Sequence, residues 1–309
     1  FRAYDEGVAY RFVTNFKRDF KIANEVAEFA FAKDYKGYFA YSNRTGTRKD
    51  NYFTSFEGAY NHIELSKIDS TRVSFSPAIV EVDNYKVCIL ESDVEHYPGM
   101  FLSNRKGAKA VYGEFAPMPD KVVEGGYRKL QDIVESRKPY IAECKAATKT
   151  PWRILLVTDD ANTLLDNDMV YRLASPSRLE DTSWIKPGKV AWEWWNYWGL
   201  TGVDFEAGVN TATYKAYIDF AAEYGIEHVI LDEGWAVKYK NNLMEVVPEI
   251  DLQQIVDYAT QKGVGIILWA GYNAFNADIE GVCRHYAAMG VKGFKIDFMD
   301  RDDQPMMEF

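Results

Sequence analysis

After residue 188 the chain alternates between strand-like and helix-like segments with regular spacing. The segments with strand character are residues 190–198, 228–235, 264–272 and 293–300. The segments with helix character are residues 211–224, 251–262 and 276–289, and each is followed by a glycine suited to a helix C-terminus. Another helix is predicted to start at Pro305. This alternation predicts parallel strands covered by helices.

Two architectures fit such a series of βα units: an open doubly wound sheet, or the first half of a (β/α)8 TIM barrel. No Gly-x-Gly-x-x-Gly motif follows the first strand, so the usual sign of a dinucleotide-binding sheet is missing. Every strand instead ends in polar and aromatic residues. In a barrel these ends converge on the C-terminal face, where active sites lie. We therefore predict that residues 188–309 form the first half of a barrel, and we expect the remaining half outside this chain.

The region before residue 188 has a different character. Short segments rich in β-branched and aromatic residues are separated by turn-forming residues, at 8–13, 73–75, 79–82, 87–90, 110–115 and 152–157. This pattern predicts a largely antiparallel β-sandwich. Residues 126–136 are expected to form a short helix or an irregular insertion. A linker rich in Asp, Pro and Ser closes the domain, which we predict to span residues 1–187.

Composition narrows the classes of function. The formal net charge of −10 and the absence of a basic run argue against a nucleic-acid partner. Aromatic residues make up 15% of the chain, which suits either an aromatic β core or a sugar-binding cleft. The three cysteines are far apart, so they predict neither a metal site nor a disulfide framework. No apolar run has the length of a membrane span.

The segment 293–300 carries the strongest chemical signal. Lys295 and Asp297 lie two residues apart, so in a strand they share one face. Two charges on a buried strand are costly unless they pair or face a wet cleft. They are therefore either a structural ion pair or a catalytic carboxylate with a lysine beside it. We favour the second interpretation, with Asp297 as the nucleophile and Lys295 bound to a substrate hydroxyl.

A second candidate is the acidic pair Asp232 and Glu233, followed by Gly234 and Trp235. The pair falls at a predicted strand end, where the two side chains would point to opposite sides. We predict that both acids and the Trp235 ring bind substrate. The alternative is helix capping together with a tryptophan of the core.

The segment 192–198 holds four tryptophans in seven residues, which is unusual for a core strand. If the strand continues to residue 198, alternate residues face opposite sides. Members near the strand end, above all Trp195 and Asn196, are the better candidates for substrate binding. Trp269, near the end of the third strand, joins them.

Four motifs in order along the chain, FRAYDEGVAYRF, GKVAWEWWNYW, LDEGW and GFKIDFMDRDDQ, resemble glycoside hydrolase family 97. The match is most similar to its retaining α-galactosidase branch. The resemblance implies an N-terminal β-sandwich, a (β/α)8 barrel and a small C-terminal β domain. It also implies an exo-acting α-glycosidase assisted by a calcium ion.

The resemblance assigns roles to particular residues. Lys295 and Asp297 match a Lys-x-Asp motif in which the aspartate is the nucleophile of a double displacement. The resemblance also implies that Glu64 of the sandwich contributes to the calcium site. The acid/base glutamate and most calcium ligands are expected beyond residue 309, in the absent half of the barrel.

The expected partner is an oligosaccharide with a terminal α-galactoside, and the expected location is periplasmic or secreted. Three other functions stay open. Two are enzymes of the same family, an inverting α-glucosidase and a β-L-arabinopyranosidase. The third is a carbohydrate-binding protein on a degenerate barrel.

Overall fold

The computed structural model describes residues 1–42, 50–104, 107–238 and 242–309. These residues form two compact units. The first comprises residues 1–122, 134–178 and 300–309, and the second comprises residues 123–133 and 179–299. The predicted domain boundary after residue 187 stays a prediction. Residues 300–309 belong to the first unit, where Arg137 binds Asp303 and the side chain of Gln304 bonds the backbone of Glu143.

The first part of the chain consists mainly of short strands. They are β1 (Arg2–Tyr4), β2 (Gly7–Tyr10), β3 (Phe20–Ile22), β4 (Glu28–Ala30), β5 (Lys36–Tyr41), β6 (Asn61–Glu64), β7 (Ser74–Val82), β8 (Tyr85–Ser92), β9 (Met100–Ser103), β10 (Ala110–Phe115), β11 (Pro119–Gly125), β12 (Gln131–Arg137), β13 (Ala142–Cys144) and β14 (Trp152–Thr158). Helix α1 (Met169–Leu173) and 3-10 helices at Leu65–Lys67, Tyr127–Lys129 and Ala161–Leu164 complete it.

One large sheet organises the first unit, in the order β1-β2-β14-β8-β7-β9-β10-β4, with β5 joining β6 and β7. Its strand pairs are antiparallel. Fully buried side chains such as Phe39, Val80, Ile89 and Leu102 form its core. The antiparallel, sheet-rich character predicted for this region is confirmed and is consistent with a sandwich-like domain. Segments 73–75 and 79–82, predicted as separate strands, lie in or beside the single strand β7.

The second unit contains four strands alternating with helices. The strands are β15 (Val190–Trp192), β16 (His228–Leu231), β17 (Gly265–Gly271) and β18 (Gly293–Asp297). The helices are α2 (Thr211–Glu223), α3 (Leu252–Lys262), α4 (Tyr272–Asn276) and α5 (Ile279–Met289), and α6 (Gln304–Glu308) follows in the first unit. All three strand pairs are parallel, and the order is β15-β16-β17-β18. The predicted order of adjacent parallel strands is confirmed.

The helix boundaries follow from their terminal residues. Asp251 accepts a hydrogen bond from the Gln254 N–H at the start of α3, which satisfies one of the donors left open at a helix N-terminus. Gly263 and Gly290 end α3 and α5 with φ of 74° and 110°, a backbone conformation that favours glycine. Glycines at these helix C-termini were predicted and are confirmed.

The strands end earlier than their sequence patterns indicate. β15 ends at Trp192, and residues Glu193–Asn196 form a 3-10 helix instead of continuing the strand. Tyr197 and Trp198 then adopt positive φ values of 55° and 54°, so the chain turns away. The predicted alternation of faces across residues 192–198 is therefore wrong. β18 likewise ends at Asp297, because Phe298 has φ of 66°.

Two other predictions need correction. The helix expected over residues 276–289 is α5, which begins at Ile279 because Asp278 caps it by accepting from the Gly281 N–H; a separate short helix, α4, precedes it at Tyr272–Asn276. Residues 126–136, expected as a helix or an irregular insertion, form a short 3-10 turn and strand β12, which pairs with β11. Among the helices of the described ranges, none combines the length and the hydropathy that a transmembrane span requires.

Candidate active site

The candidate site lies at the C-terminal ends of the parallel strands in the second unit. Lys295 and Asp297 both belong to β18, and the register pairs Lys295 with Trp269 of β17. The Lys295 ammonium is 3.6 Å from the Asp297 carboxylate. The structure therefore brings together the two residues that the period of the strand placed on one face.

Asp297 is held by two hydrogen bonds and is still open to solvent. The Trp269 ring nitrogen donates to Oδ2 at 3.2 Å, and the Phe298 backbone N–H donates to Oδ1 at 2.8 Å. The side chain nevertheless remains 43% exposed. An oriented and accessible carboxylate is the geometry that a nucleophile requires.

Lys295 binds a different carboxylate more closely. Its ammonium is 2.7 Å from Oδ2 of Asp232, and it lies 4.5 Å from the centre of the Trp192 ring. The Trp192 ring nitrogen donates to the same Asp232 oxygen at 2.6 Å. The Asp232 side chain is only 6% exposed, so it acts mainly as an anchor for Lys295 and Trp192. One ammonium therefore joins Asp232 to Asp297.

Glu193, a buried acid in contact with Asp232, was not among the predicted site residues. Glu193 is 0% exposed, and its Oε1 accepts bonds from the Asp232 backbone N–H at 2.6 Å and from the Tyr214 hydroxyl at 2.9 Å. Its other oxygen, Oε2, has no hydrogen-bond partner among the described residues. Burial raises the pKa of Glu193 to about 7. The signal in the sequence was an acid between tryptophans, next to a strand that is otherwise apolar.

Glu233 points to different partners from Asp232, as expected for adjacent residues at a strand end. Its carboxylate forms an ion pair with Arg128, and its backbone N–H donates to Asp232 Oδ1 at 2.7 Å. Trp235, by contrast, is fully buried, and its ring nitrogen donates to the Trp269 carbonyl at 2.8 Å. The Trp235 ring is therefore part of the core, and the prediction that it contacts substrate is wrong.

The remaining predicted residues have different exposures. The Trp195 side chain lies largely in solvent, with 83% exposure, so its ring is accessible to a ligand. Asn196 is engaged locally, because it donates to the Gly199 carbonyl at 2.8 Å and accepts from the Tyr217 hydroxyl at 2.7 Å. Trp269 is buried, and its ring nitrogen donates to Asp297.

Glu64 lies on β6 of the first unit, where its carboxylate is 3.6 Å from the Lys36 ammonium. Within the described part of the chain, no three or more His, Cys, Asp or Glu side chains are grouped as a metal site. The assignment of Glu64 as a calcium ligand stays a prediction.

Two family models match the chain, and both describe glycoside hydrolases, which sets the class of protein. The Glycosyl-hydrolase 97 N-terminal model matches residues 1–176, and the Glycoside hydrolase 97 model matches residues 194–309. The chain belongs to glycoside hydrolase family 97.

Curated relatives extend well beyond this chain. It is 53% identical, over 312 residues, to the retaining alpha-galactosidase of Bacteroides thetaiotaomicron, covering all of this chain and 47% of that protein. It is 29% identical, over 316 residues, to a probable retaining alpha-galactosidase of Streptomyces bingchenggensis, again over its full length and 43% of the relative. The chain thus spans less than half the length of these relatives.

Solved structures support the fold. A family 97 enzyme from Pseudoalteromonas sp. strain K8, in complex with acarbose, aligns with a TM-score of 0.77 at 20% identity, over 99% of this chain and 47% of that one. A beta-arabinopyranosidase aligns with a TM-score of 0.65 at 18% identity, over 99% of this chain and 48% of that one. At these identities the likeness concerns the fold alone.

Proposed function

We propose that this chain supplies the nucleophile of a retaining α-galactosidase, on the first half of a (β/α)8 barrel. The barrel is supported by four parallel βα units in sequence order. The substrate class is supported by the relative named retaining alpha-galactosidase, with 53% identity over the whole chain. The observation that carries the proposal is Asp297, a carboxylate anchored by two hydrogen bonds at a strand end and open to solvent.

In the first step, Asp297 attacks the anomeric carbon of a terminal α-galactoside and displaces the leaving oxygen. Water then hydrolyses the glycosyl–enzyme, so that the configuration is retained. The bonds from Trp269 and Phe298 fix the direction of attack. Lys295 has three N–H donors, and those not bound to Asp232 can reach a substrate hydroxyl.

A retaining mechanism also requires a second carboxyl group, about 5–5.5 Å from the nucleophile, to act as acid and then as base. Asp232 is bound to Lys295, Glu193 is buried, and Glu233 is paired with Arg128. As the family resemblance implies, we assign the acid/base to a glutamate of the later barrel strands. We also propose that the full-length protein uses a calcium ion with Glu64 as one ligand, and that it is periplasmic or secreted.

The test uses the full-length protein and an activated aryl α-galactoside. Asp297→Ala should lower kcat by several orders of magnitude, because no other side chain can form the covalent bond in its place. Azide should restore turnover of the variant and yield β-galactosyl azide, since the anion fills the vacated space and attacks from the same side. If the variant stays within about tenfold of the wild type, which is about 1.4 kcal/mol of transition-state stabilisation, Asp297 is not the nucleophile.

Parallel assays separate the related functions. Aryl α-glucoside and aryl β-L-arabinopyranoside should be poorer substrates than the α-galactoside. The configuration of the first-formed sugar, followed by proton NMR, should show retention. Binding of galactose without hydrolysis of any of the three would instead indicate a carbohydrate-binding protein.

A further inference from the structure

The ion pair between Arg128 and Glu233 links the candidate site to a part of the sequence far from the barrel strands. Arg128 lies in the short turn between β11 and β12, and 105 positions separate it from Glu233. Both residues belong to the second unit, together with all of residues 123–133. The two side chains are only partly exposed, at 27% and 21%. A half-buried pair of this kind is less screened by solvent than a surface salt bridge.

The backbone of this turn is held in an unfavourable conformation. Arg128 and Lys129 have consecutive positive φ values of 51° and 62°, although neither is glycine. Such residues persist only where their surroundings fix them. Here Asn273 does so, because its side chain donates to the carbonyls of Lys129 at 3.0 Å and Gln131 at 2.9 Å. The fold therefore uses a buried asparagine to present Arg128 in one orientation.

The turn also contacts the residue that follows the nucleophile. The Tyr127 ring stacks on the Phe298 ring, with centres 5.7 Å apart and planes at 25°. The Arg128 guanidinium carbon lies 4.8 Å from the centre of the Tyr127 ring. The Phe298 N–H in turn donates to Asp297. The turn thus touches both sides of the candidate site, at Glu233 and beside Asp297.

We propose that the turn at residues 126–130 positions the substrate, with Arg128 orienting the Glu233 carboxylate to accept a hydrogen bond from a sugar hydroxyl. The inference rests on the proposed glycosidase function. Arg128 binds Oε1 of Glu233, which leaves Oε2 as the acceptor for substrate. A carboxylate with a fixed direction discriminates between sugars because a missing hydroxyl leaves it without a partner. Arg128 is a positioning residue and Glu233 is the group that touches the sugar.

The test compares hydroxyl dependence in variants of the full-length protein. Initial rates are measured for an aryl α-galactoside and for its 2-, 3-, 4- and 6-deoxy analogues. In the wild type, at least one deoxygenation should lower kcat/KM by more than about tenfold through Glu233, as expected for a hydrogen bond to a charged group. Glu233→Gln identifies that hydroxyl, because in this variant the deoxy analogue that lacks it should lose much less kcat/KM relative to the parent substrate.

Arg128→Ala should reduce the cost at that same hydroxyl and raise KM for the parent substrate by about tenfold or more, since an unoriented carboxylate binds less well. Arg128→Lys should recover only part of the effect, because an ammonium on a flexible stem directs its N–H groups less rigidly than the planar guanidinium. Lys121→Ala is the matched control: it removes an exposed ion pair with Glu135 in the same hairpin and should leave all rates unchanged.

Several outcomes overturn the inference. A uniform loss of rate on all five substrates in Arg128→Ala would mean that the turn only supports the fold. The inference also fails if the loss of kcat/KM on deoxygenation is the same in Arg128→Ala and the wild type. It fails as well if Glu233→Gln changes that loss for none of the hydroxyls. The proposed function is judged separately by Asp297→Ala: loss of activity there with no effect of Arg128→Ala refutes the positioning role alone. A wild type inactive on every α-galactoside refutes both.

Discussion

Replacing Glu193 by glutamine should change how the stability of the protein depends on pH. Burial raises the pKa of Glu193 from 4.5 to about 7 in the folded state. The folded state therefore holds the proton more tightly than the unfolded state between these two values. Stability from this group is fully present below about pH 4.5 and is lost as the pH rises through about 7.

The size of the effect follows from the shift. About 2.5 pKa units at 1.36 kcal/mol each correspond to roughly 3 kcal/mol between the extremes of pH. Between pH 5 and pH 8 the wild type should lose about 2–3 kcal/mol of unfolding free energy through this one residue. Glutamine is neutral throughout and keeps an oxygen to accept from Asp232 and Tyr214. Its amide N–H group takes the place of Oε2, which lacks a partner among the described residues. That substitution costs about 1–3 kcal/mol, but the cost does not vary with pH.

The assay is urea unfolding at pH 5, 6, 7 and 8, monitored by tryptophan fluorescence, because Trp192 and Trp198 lie beside Glu193 and Tyr214. The quantity compared is the change in unfolding free energy with pH in Glu193→Gln and in the wild type. The wild type should lose stability across this range more steeply than the variant. Parallel pH profiles, within about 0.5 kcal/mol, would show that Glu193 does not titrate near pH 7 and that its burial is not as costly as argued.

Three further predictions follow from other parts of the structure. Burial, together with Asp303, raises the pKa of Asp302 to about 6, so the wild type should lose stability as the pH rises from 3.8 through 6. Asp302→Asn should not show this loss when both proteins are compared by thermal unfolding at several pH values. Gly271→Ala should destabilise the protein by about 1–3 kcal/mol in urea unfolding, because the added methyl carbon would lie 2.6 Å from a Leu130 methyl carbon; an unchanged midpoint would contradict this. Trp195→Ala should alter stability by less than about 0.5 kcal/mol, since the ring is 83% exposed, and should raise KM if the ring contacts sugar.

The sequence predicted the elements that repeat with a simple period. The four parallel strands, their order and the glycines after the helices were all predicted because each depends on local pattern. The ends of β15 and β18 were not, because nothing in the residue types of Tyr197, Trp198 or Phe298 requires a positive φ. The tryptophan-rich run at residues 192–198 has the residue types of a strand, although the backbone leaves the sheet after Trp192.

The candidate site was predicted only as far as its strand-borne residues. Lys295 and Asp297 lie together because a strand places alternate residues on one face. Trp235 was misassigned because an aromatic ring after an acidic pair has the same local pattern whether it faces a cleft or the core. Arg128 was missed because its contact with Glu233 depends on the tertiary fold and not on any local pattern.

Three acids at the strand ends differ enough in environment to separate their roles. Glu193 is fully buried, so it cannot reach a substrate, and it fixes the backbone of Asp232 instead. Asp232 is nearly buried and is bound to both Lys295 and Trp192. Only Asp297 among these three combines two orienting hydrogen bonds with an accessible side chain. The buried acids would thus serve to hold Lys295 in place, and Lys295 would link them to the one carboxylate placed to react. The proposed nucleophile and its supporting acids can come from different parallel strands, because those strands end at the same edge of the sheet.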